Sequence, residues 1–88
     1  MNEIADRNEA ARDALRVAFD TWRRALVSGF ETMQQWGDLR ADADPVSLAN
    51  AVIASIQGGI LLARLDRDGT PLRDTLDQTL RLLRAYAA

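Results

Sequence analysis

Residues 44–65 read Asp-Pro-Val-Ser-Leu-Ala-Asn-Ala-Val-Ile-Ala-Ser-Ile-Gln-Gly-Gly-Ile-Leu-Leu-Ala-Arg-Leu, and the fold follows from how this stretch distributes its apolar side chains. Asp44 is suited to capping free backbone N–H groups and Pro45 to the first helical position, so a helix starts here and runs to about Leu65. On a helical wheel, Ala49, Val52, Ile53, Ile56, Ile60 and Ala63 form one bulky face. Ala51, Ala54, Gly58, Leu61, Leu62 and Leu65 form a second, smaller and smoother face, mostly opposite the first. Asn50, Gln57 and Arg64 recur at heptad spacing as a single polar stripe between them. Apolar surface on both sides marks a buried helix, so something must cover each side. Gly58-Gly59 in its middle costs about 1 kcal/mol per glycine relative to alanine, and a close backbone approach or a bend is expected to offset that loss.

Working outward, the segment before it keeps one apolar stripe at helical spacing from Ile4 through Ala11, Leu15, Ala18, Phe19, Trp22, Leu26, Gly29, Phe30 and Met33 to Trp36. This predicts one long helix, with the acid-first pairs Glu3/Arg7 and Asp20/Arg24 on its solvated face. It should stop at Gly37, where glycine accepts a left-handed cap. Residues 38–44 read as a polar connection. Downstream, Asp66-Arg67-Asp68-Gly69 is a tight turn before Thr70-Pro71, a second cap-then-proline start. The third helix, Pro71 to about Ala87, sets Leu72, Thr75, Leu76, Thr79, Leu80, Leu82, Leu83 and Tyr86 against a charged face. A turn this short makes the last two helices an antiparallel hairpin. With no period-two alternation anywhere, the fold class is all-α, a three-helix chain.

Composition narrows the function. The 88 residues fit one domain, spanning 1–88, and nearly half of them are hydrophobic, enough for a thin core. There is no cysteine and no histidine, which removes the thiol nucleophile, the common general base and most transition-metal sites. Asp66 and Asp68 beside Gly69 lack the remaining positions of a calcium loop. Gly58-Gly59 has no lysine near it and lies in an apolar helix, so it is no phosphate cradle. The chain therefore reads as a non-enzyme with no metal site and no cofactor. The net charge of −2 is spread in mixed signs, which argues against direct nucleic-acid contact and against a polybasic membrane patch. The apolar run 51–63 is too short to span a bilayer and the N-terminus lacks a signal pattern, so a soluble, cytoplasmic chain is expected.

Trp22, Phe30, Met33 and Trp36 put large adaptable side chains on the inner stripe of the first helix. Such a stripe is either core or the wall of an apolar ligand pocket, with Asn50 or Gln57 as the orienting polar group. Arg64 can meet Asp68 of its own chain or an acid across a dimer.

The order of features, Trp36-Gly37-Asp38-Leu39-Arg40-Ala41-Asp42-Ala43-Asp44-Pro45, then Gln57-Gly58-Gly59-Ile60-Leu61-Leu62-Ala63-Arg64, then Asp68-Gly69-Thr70-Pro71-Leu72, resembles the C-terminal ligand-binding and dimerisation domain of TetR-type (tetracycline-repressor-like) transcriptional regulators. The resemblance implies a homodimer in which the last two helices of each subunit form a four-helix bundle. It also implies a small apolar effector held between helices one and two. Those regulators begin with a helix-turn-helix domain that these residues do not contain. The chain is therefore expected to be the C-terminal part of a longer regulator, touching DNA only through that other domain. Combined with the wheel, the resemblance assigns the effector wall to Trp22, Phe30, Met33, Asn50 and Gln57. It assigns the dimer interface to Ala54, Gly58, Leu61, Leu65, Leu76, Leu80 and Leu83. The competing reading is a stand-alone helical homodimerisation or partner-binding module with no ligand.

Overall fold

Local signals in the chain set three helices in the expected order: α1 Glu3–Gln35, α2 Pro45–Asp66 and α3 Thr70–Ala85. The computed structural model describes residues 3–88, and side chains from Asp6 onward. Ile4 and the Glu3/Arg7 pair lie outside the described side chains. The other expected pair re-forms one residue earlier: Asp20 meets Arg23 at 2.8 Å, in place of Arg24.

Each helix end has an identifiable cause. α1 stops where Gly37 turns left-handed at φ +82°, with Gly37 N–H donating to Gln34 O and Asp38 N–H to Met33 O. That pair of bonds is a Schellman stop. Asp44 caps α2 as expected, its Oδ1 accepting from the Val46 and Ser47 amides at 3.1 and 3.3 Å. The α2 end repeats the Schellman pattern, Arg67 N–H to Arg64 O and Asp68 N–H to Ala63 O, but the left-handed residue is Arg67 at φ 51°. Gly69, the glycine of that turn, is right-handed. An arginine in the left-handed region carries a Cβ penalty that glycine lacks. Arg67→Gly is therefore expected to raise the unfolding free energy by about 1 kcal/mol, read from urea melts.

At α3 the N-cap position belongs to Gly69, in place of the expected Thr70, and the carboxylate at the helix start comes from Asp68, one residue earlier. Asp68 Oδ1 accepts from both the Thr70 amide, at 3.0 Å, and the Thr70 hydroxyl, at 2.9 Å. The backbone bond first and the hydroxyl second hold the Asp68 carboxyl below its ordinary value. A carboxyl lowered on folding adds stability above its unfolded value and loses it as pH falls through the folded one. Asp68→Ala should thus destabilise the chain at neutral pH, and the gap between variant and parent should close on acid titration below about pH 4, followed by helical circular dichroism.

Packing runs from α1 to α2 and from α2 to α3; among the described residues the α1 and α3 backbones do not come close, although Leu83 of α3 reaches the core cluster that contains Phe30. The core gathers at one end of the molecule. It comprises Phe30 of α1, Leu39 and Ala43 of the connection, and Leu48, Ala49 and Val52 of α2, with Leu26, Val27, Ile56, Leu83 and Tyr86 packed around it. The connection read as polar therefore supplies two core anchors. Leu39 is only 3% exposed, because the loop folds back under the helices. Four hydrogen bonds hold it there. Gln34 Nε2 donates to Arg40 O and Ala43 O, the Arg40 amide donates to Tyr86 O, and the Ala88 amide donates to Asp38 O. The last two frame an isolated antiparallel bridge between Leu39 and Ala87, and the Arg40 guanidinium lies 5.9 Å from the Tyr86 ring centroid. Residues 86–88 thus leave the helix expected to reach Ala87 and clasp the α1–α2 connection.

The inner stripe of α1 is buried over less of its length than its periodicity suggests. Leu15 is exposed at its upper end and Trp36 at its lower end, since α2 and the loop cover only the stretch between. The twin glycines divide the labour. A Cβ on Gly59 would lie 2.8 Å from Thr75 Oγ1 and 2.9 Å from Thr75 Cβ, whereas one on Gly58 would meet nothing within 4 Å. Close approach between α2 and α3, expected somewhere in the pair, therefore occurs at Gly59.

Capping by Asp44 and Arg67 gives α2 22 residues, long and apolar enough by those measures alone to cross a bilayer. The shorter count of 51–63 missed this. The helix carries Asn50, Gln57 and Arg64 and packs against two other helices.

Candidate functional site

Between α1 and α2, beside the core, lies an open concave surface in two parts. Its lower part, about 430 Å³, is walled by Trp22, Ala25, Leu26, Val52, Ile53, Ile56 and Gln57. Its upper part, about 670 Å³, is walled by Arg16, Phe19, Asp20, Arg23, Asn50, Ile53, Ala54 and Gln57. Ile53 and Gln57 border both. The lower end is almost wholly apolar and the upper end is charged. Phe19 and Trp22 brace one another edge to face, with ring centroids 5.1 Å apart and planes at 87°.

One side chain spans the groove. Arg23 Nε donates to Asn50 Oδ1 at 2.8 Å, and its Nη1 donates to Asp20 Oδ1 at 2.8 Å. Among the described residues, this Arg23–Asn50 contact is the side-chain hydrogen bond that joins α1 to α2 directly.

Of the residues assigned to the effector wall, Trp22 and Gln57 line the lower groove and Asn50 the upper, where its carbonyl already serves Arg23. Phe30 does not line it. It sits 7% exposed in the core, two helical turns below Trp22, where the loop closes over the same stripe. Met33 lies one turn further on, 38% exposed and outside the groove. Sequence reasoning missed Arg23, to which it gave no role, and Phe19 with Ile53 and Ile56, which it placed on the apolar faces of α1 and α2 without assigning them to the effector wall. Phe19 lies three residues before Trp22 and Ile53 three after Asn50, and for those two the helical offset was the available signal.

A second surface lies on α2 away from α1. Leu61, Leu62 and Leu65 are more than half exposed, and Ala54 is exposed beside them. A shallow furrow between α2 and α3 on that side is lined by Ala54, Ser55, Gly58, Gly59 and Leu62 against Asp74, Thr75, Gln78, Thr79 and Leu82. Of the residues assigned to a dimer joint, Ala54 and Gly58 line this furrow, and Leu61 and Leu65 extend the same arc of α2. Leu76 and Leu80 are exposed but do not line the furrow, and Leu83 turns inward against the core. The wheel of α3 explains this: Leu82 lies on the edge opposite Leu80, and Leu83 between them. Leu62 and Leu82 are the furrow's two leucines, and the assignment omitted both. Arg64 forms no ion pair among the described residues, and Asp68 is engaged by Thr70.

Three helices in this order leave an open groove on one side of the middle helix and an uncovered apolar arc on the other. Residues 1–79 match the family described as tetracyclin repressor-like, C-terminal domain, and the chain belongs to that family. It is 39% identical to the transcriptional regulator AcuR of Cereibacter sphaeroides over 61 residues, 69% of this chain and 28% of that protein. It is 32% identical to the HTH-type transcriptional repressor DhaR of Mycobacterium sp. strain GP1 over 85 residues, 92% of this chain and 39% of that protein. A TetR transcriptional regulator from Chloroflexus aurantiacus J-10-FL superposes with a TM-score of 0.83 at 26% identity, covering 86% of this chain and 38% of that one. The chain thus spans less than two-fifths of the length of these relatives.

Proposed function

We propose that these residues form the effector-sensing and dimerisation part of a cytoplasmic transcriptional regulator whose DNA contacts are made by another part of the protein. The observation that carries this reading is the position of α2. It contacts both other helices yet leaves Leu61, Leu62 and Leu65 exposed, an arc that a second copy of the α2–α3 pair would cover. Self-complementary patches of this kind give two-fold dimers. The α1–α2 groove supports the sensing half. It is concave, largely apolar and within the size range of small-molecule sites.

In this reading the effector acts by preferring one α1–α2 arrangement, which shifts the spacing of the DNA-contacting parts through the dimer. Sedimentation equilibrium at micromolar concentration is the test. The parent should sediment as a dimer and Leu61→Arg as a folded monomer, since a guanidinium buried without a partner at the joint costs several kcal/mol. A well-folded parent monomer, or a Leu61→Arg dimer, would sink the proposal. A dimer that binds no apolar compound would leave the stand-alone assembly module as the better reading.

A further inference from the structure

Two charges border the uncovered arc of α2 without a counter-ion on their own helices. Opposite charges on a helix pair when they lie three or four residues apart. Asp74 of α3 has Thr70, Pro71, Asp77 and Gln78 at those spacings, and Arg64 of α2 has Ile60, Leu61, Arg67 and Asp68. Asp68 is the one opposite charge in either set, and Thr70 engages its carboxylate. Among the described residues neither Arg64 nor Asp74 forms an ion pair. Both are exposed, and they stand on opposite margins of one apolar surface. Asp74 is on the α3 wall of the furrow, and Arg64 is on the polar stripe of α2, beyond Leu61.

A two-fold axis can be laid on that surface in two ways. An axis across α2 sets the polar stripe against its own reversed copy, where Arg64 meets the region of Asn50 and finds no charge. An axis along α2 sets the polar stripe of one subunit against the furrow margin of the other, at the same level. The near contact of Gly59 with Thr75 puts those two residues level. At about 1.5 Å of rise per residue, Arg64 then lies about 7.5 Å above that level and Asp74, on the antiparallel α3, about 1.5 Å above it. The remaining offset of about 6 Å is within the span of an arginine side chain. We propose that the dimer axis runs along α2 and that Arg64 of each subunit pairs with the partner's Asp74, which fixes the register of the joint. This rests on the dimer reading above and specifies its partner face. Exposed pairs of this kind add little affinity, but like charges brought opposite one another oppose the wrong register, and symmetry doubles the effect.

Sedimentation equilibrium of charge variants tests the pairing, with circular dichroism confirming that each is folded. Arg64→Asp and Asp74→Arg should each weaken the dimer by about tenfold, because each sets like charges opposite one another at two symmetric places. Equimolar mixing of the two variants should restore association to within about threefold of the parent, since the mixed dimer contains one native and one reversed pair. A pairing within one chain gives no recovery on mixing, and an axis across α2 gives no loss in either variant. Either result overturns the pairing while the dimer reading stands. A folded parent that sediments as a monomer overturns the two together.

Discussion

Phe30→Ala should unfold this chain or bring it to the edge of unfolding at room temperature. The ring is 7% exposed and sits where α1, the 38–44 connection and the first turns of α2 meet, with Leu39 and Ala49 in the same cluster. Truncating a buried phenylalanine typically costs about 3–5 kcal/mol, the lost transfer free energy plus the cavity left behind. A single small core rarely supplies more than about 3–5 kcal/mol in total. The loss and the reserve are of the same size, and no disulfide or metal ligand set backs the core here. Trp22→Ala, on the same stripe but 47% exposed, should cost much less because its site already borders water. Urea melts of both variants check the contrast; equal losses would mean that the core is not centred on Phe30.

The adjacent glycines of α2 should respond with opposite signs. Gly59→Ala places a methyl group 2.8–2.9 Å from the Thr75 side chain, and the Thr75 Cβ is fixed to its backbone, so α2 and α3 must separate. Overpacking of this kind costs about 1–3 kcal/mol, which exceeds the gain of about 1 kcal/mol in helix propensity. Gly58→Ala meets nothing within 4 Å and keeps the propensity gain whole. A monomer should therefore be stabilised by Gly58→Ala by about 1 kcal/mol. In a dimer joined across the furrow, the same methyl group would crowd the partner and lower the association constant. Thermal melts at two protein concentrations separate these effects. A Gly58→Ala chain that is more stable and equally associated would move the joint elsewhere on α2.

The two glycines also show where reading the sequence stopped. Their cost in a mid-helix position was legible, and so was the need for a close approach, but the choice of glycine was not. A wheel gives the angular position of a residue on its own helix and says nothing of where the neighbouring helix crosses. The same gap explains α3. Its apolar arc was correctly placed, yet Leu76, Leu80 and Leu83 had to be grouped together because only the crossing with α2 turns Leu83 inward and leaves Leu80 out. Arg23 was hidden by the same logic, since a charged residue beside an i, i+3 acid reads as solvated surface until a second helix brings Asn50 within 2.8 Å.

What the sequence by itself determined is the set of features that depend on near neighbours along the chain. These are the three helices, the stop at Gly37, the start at Asp44-Pro45, the all-α class and the middle helix with two apolar sides. Backbone dihedral preferences, capping and side-chain periodicity act within about one or two helical turns, so a linear reading reaches them. The tertiary structure alone decided which side of each helix meets which neighbour. It drew Leu39 and Ala43 out of a polar connection into the core, tied residues 86–88 to residues 38–40, and put Phe30 below the groove and Trp22 within it. Those outcomes depend on helix crossing points and loop trajectories, which are set by packing between residues far apart in sequence.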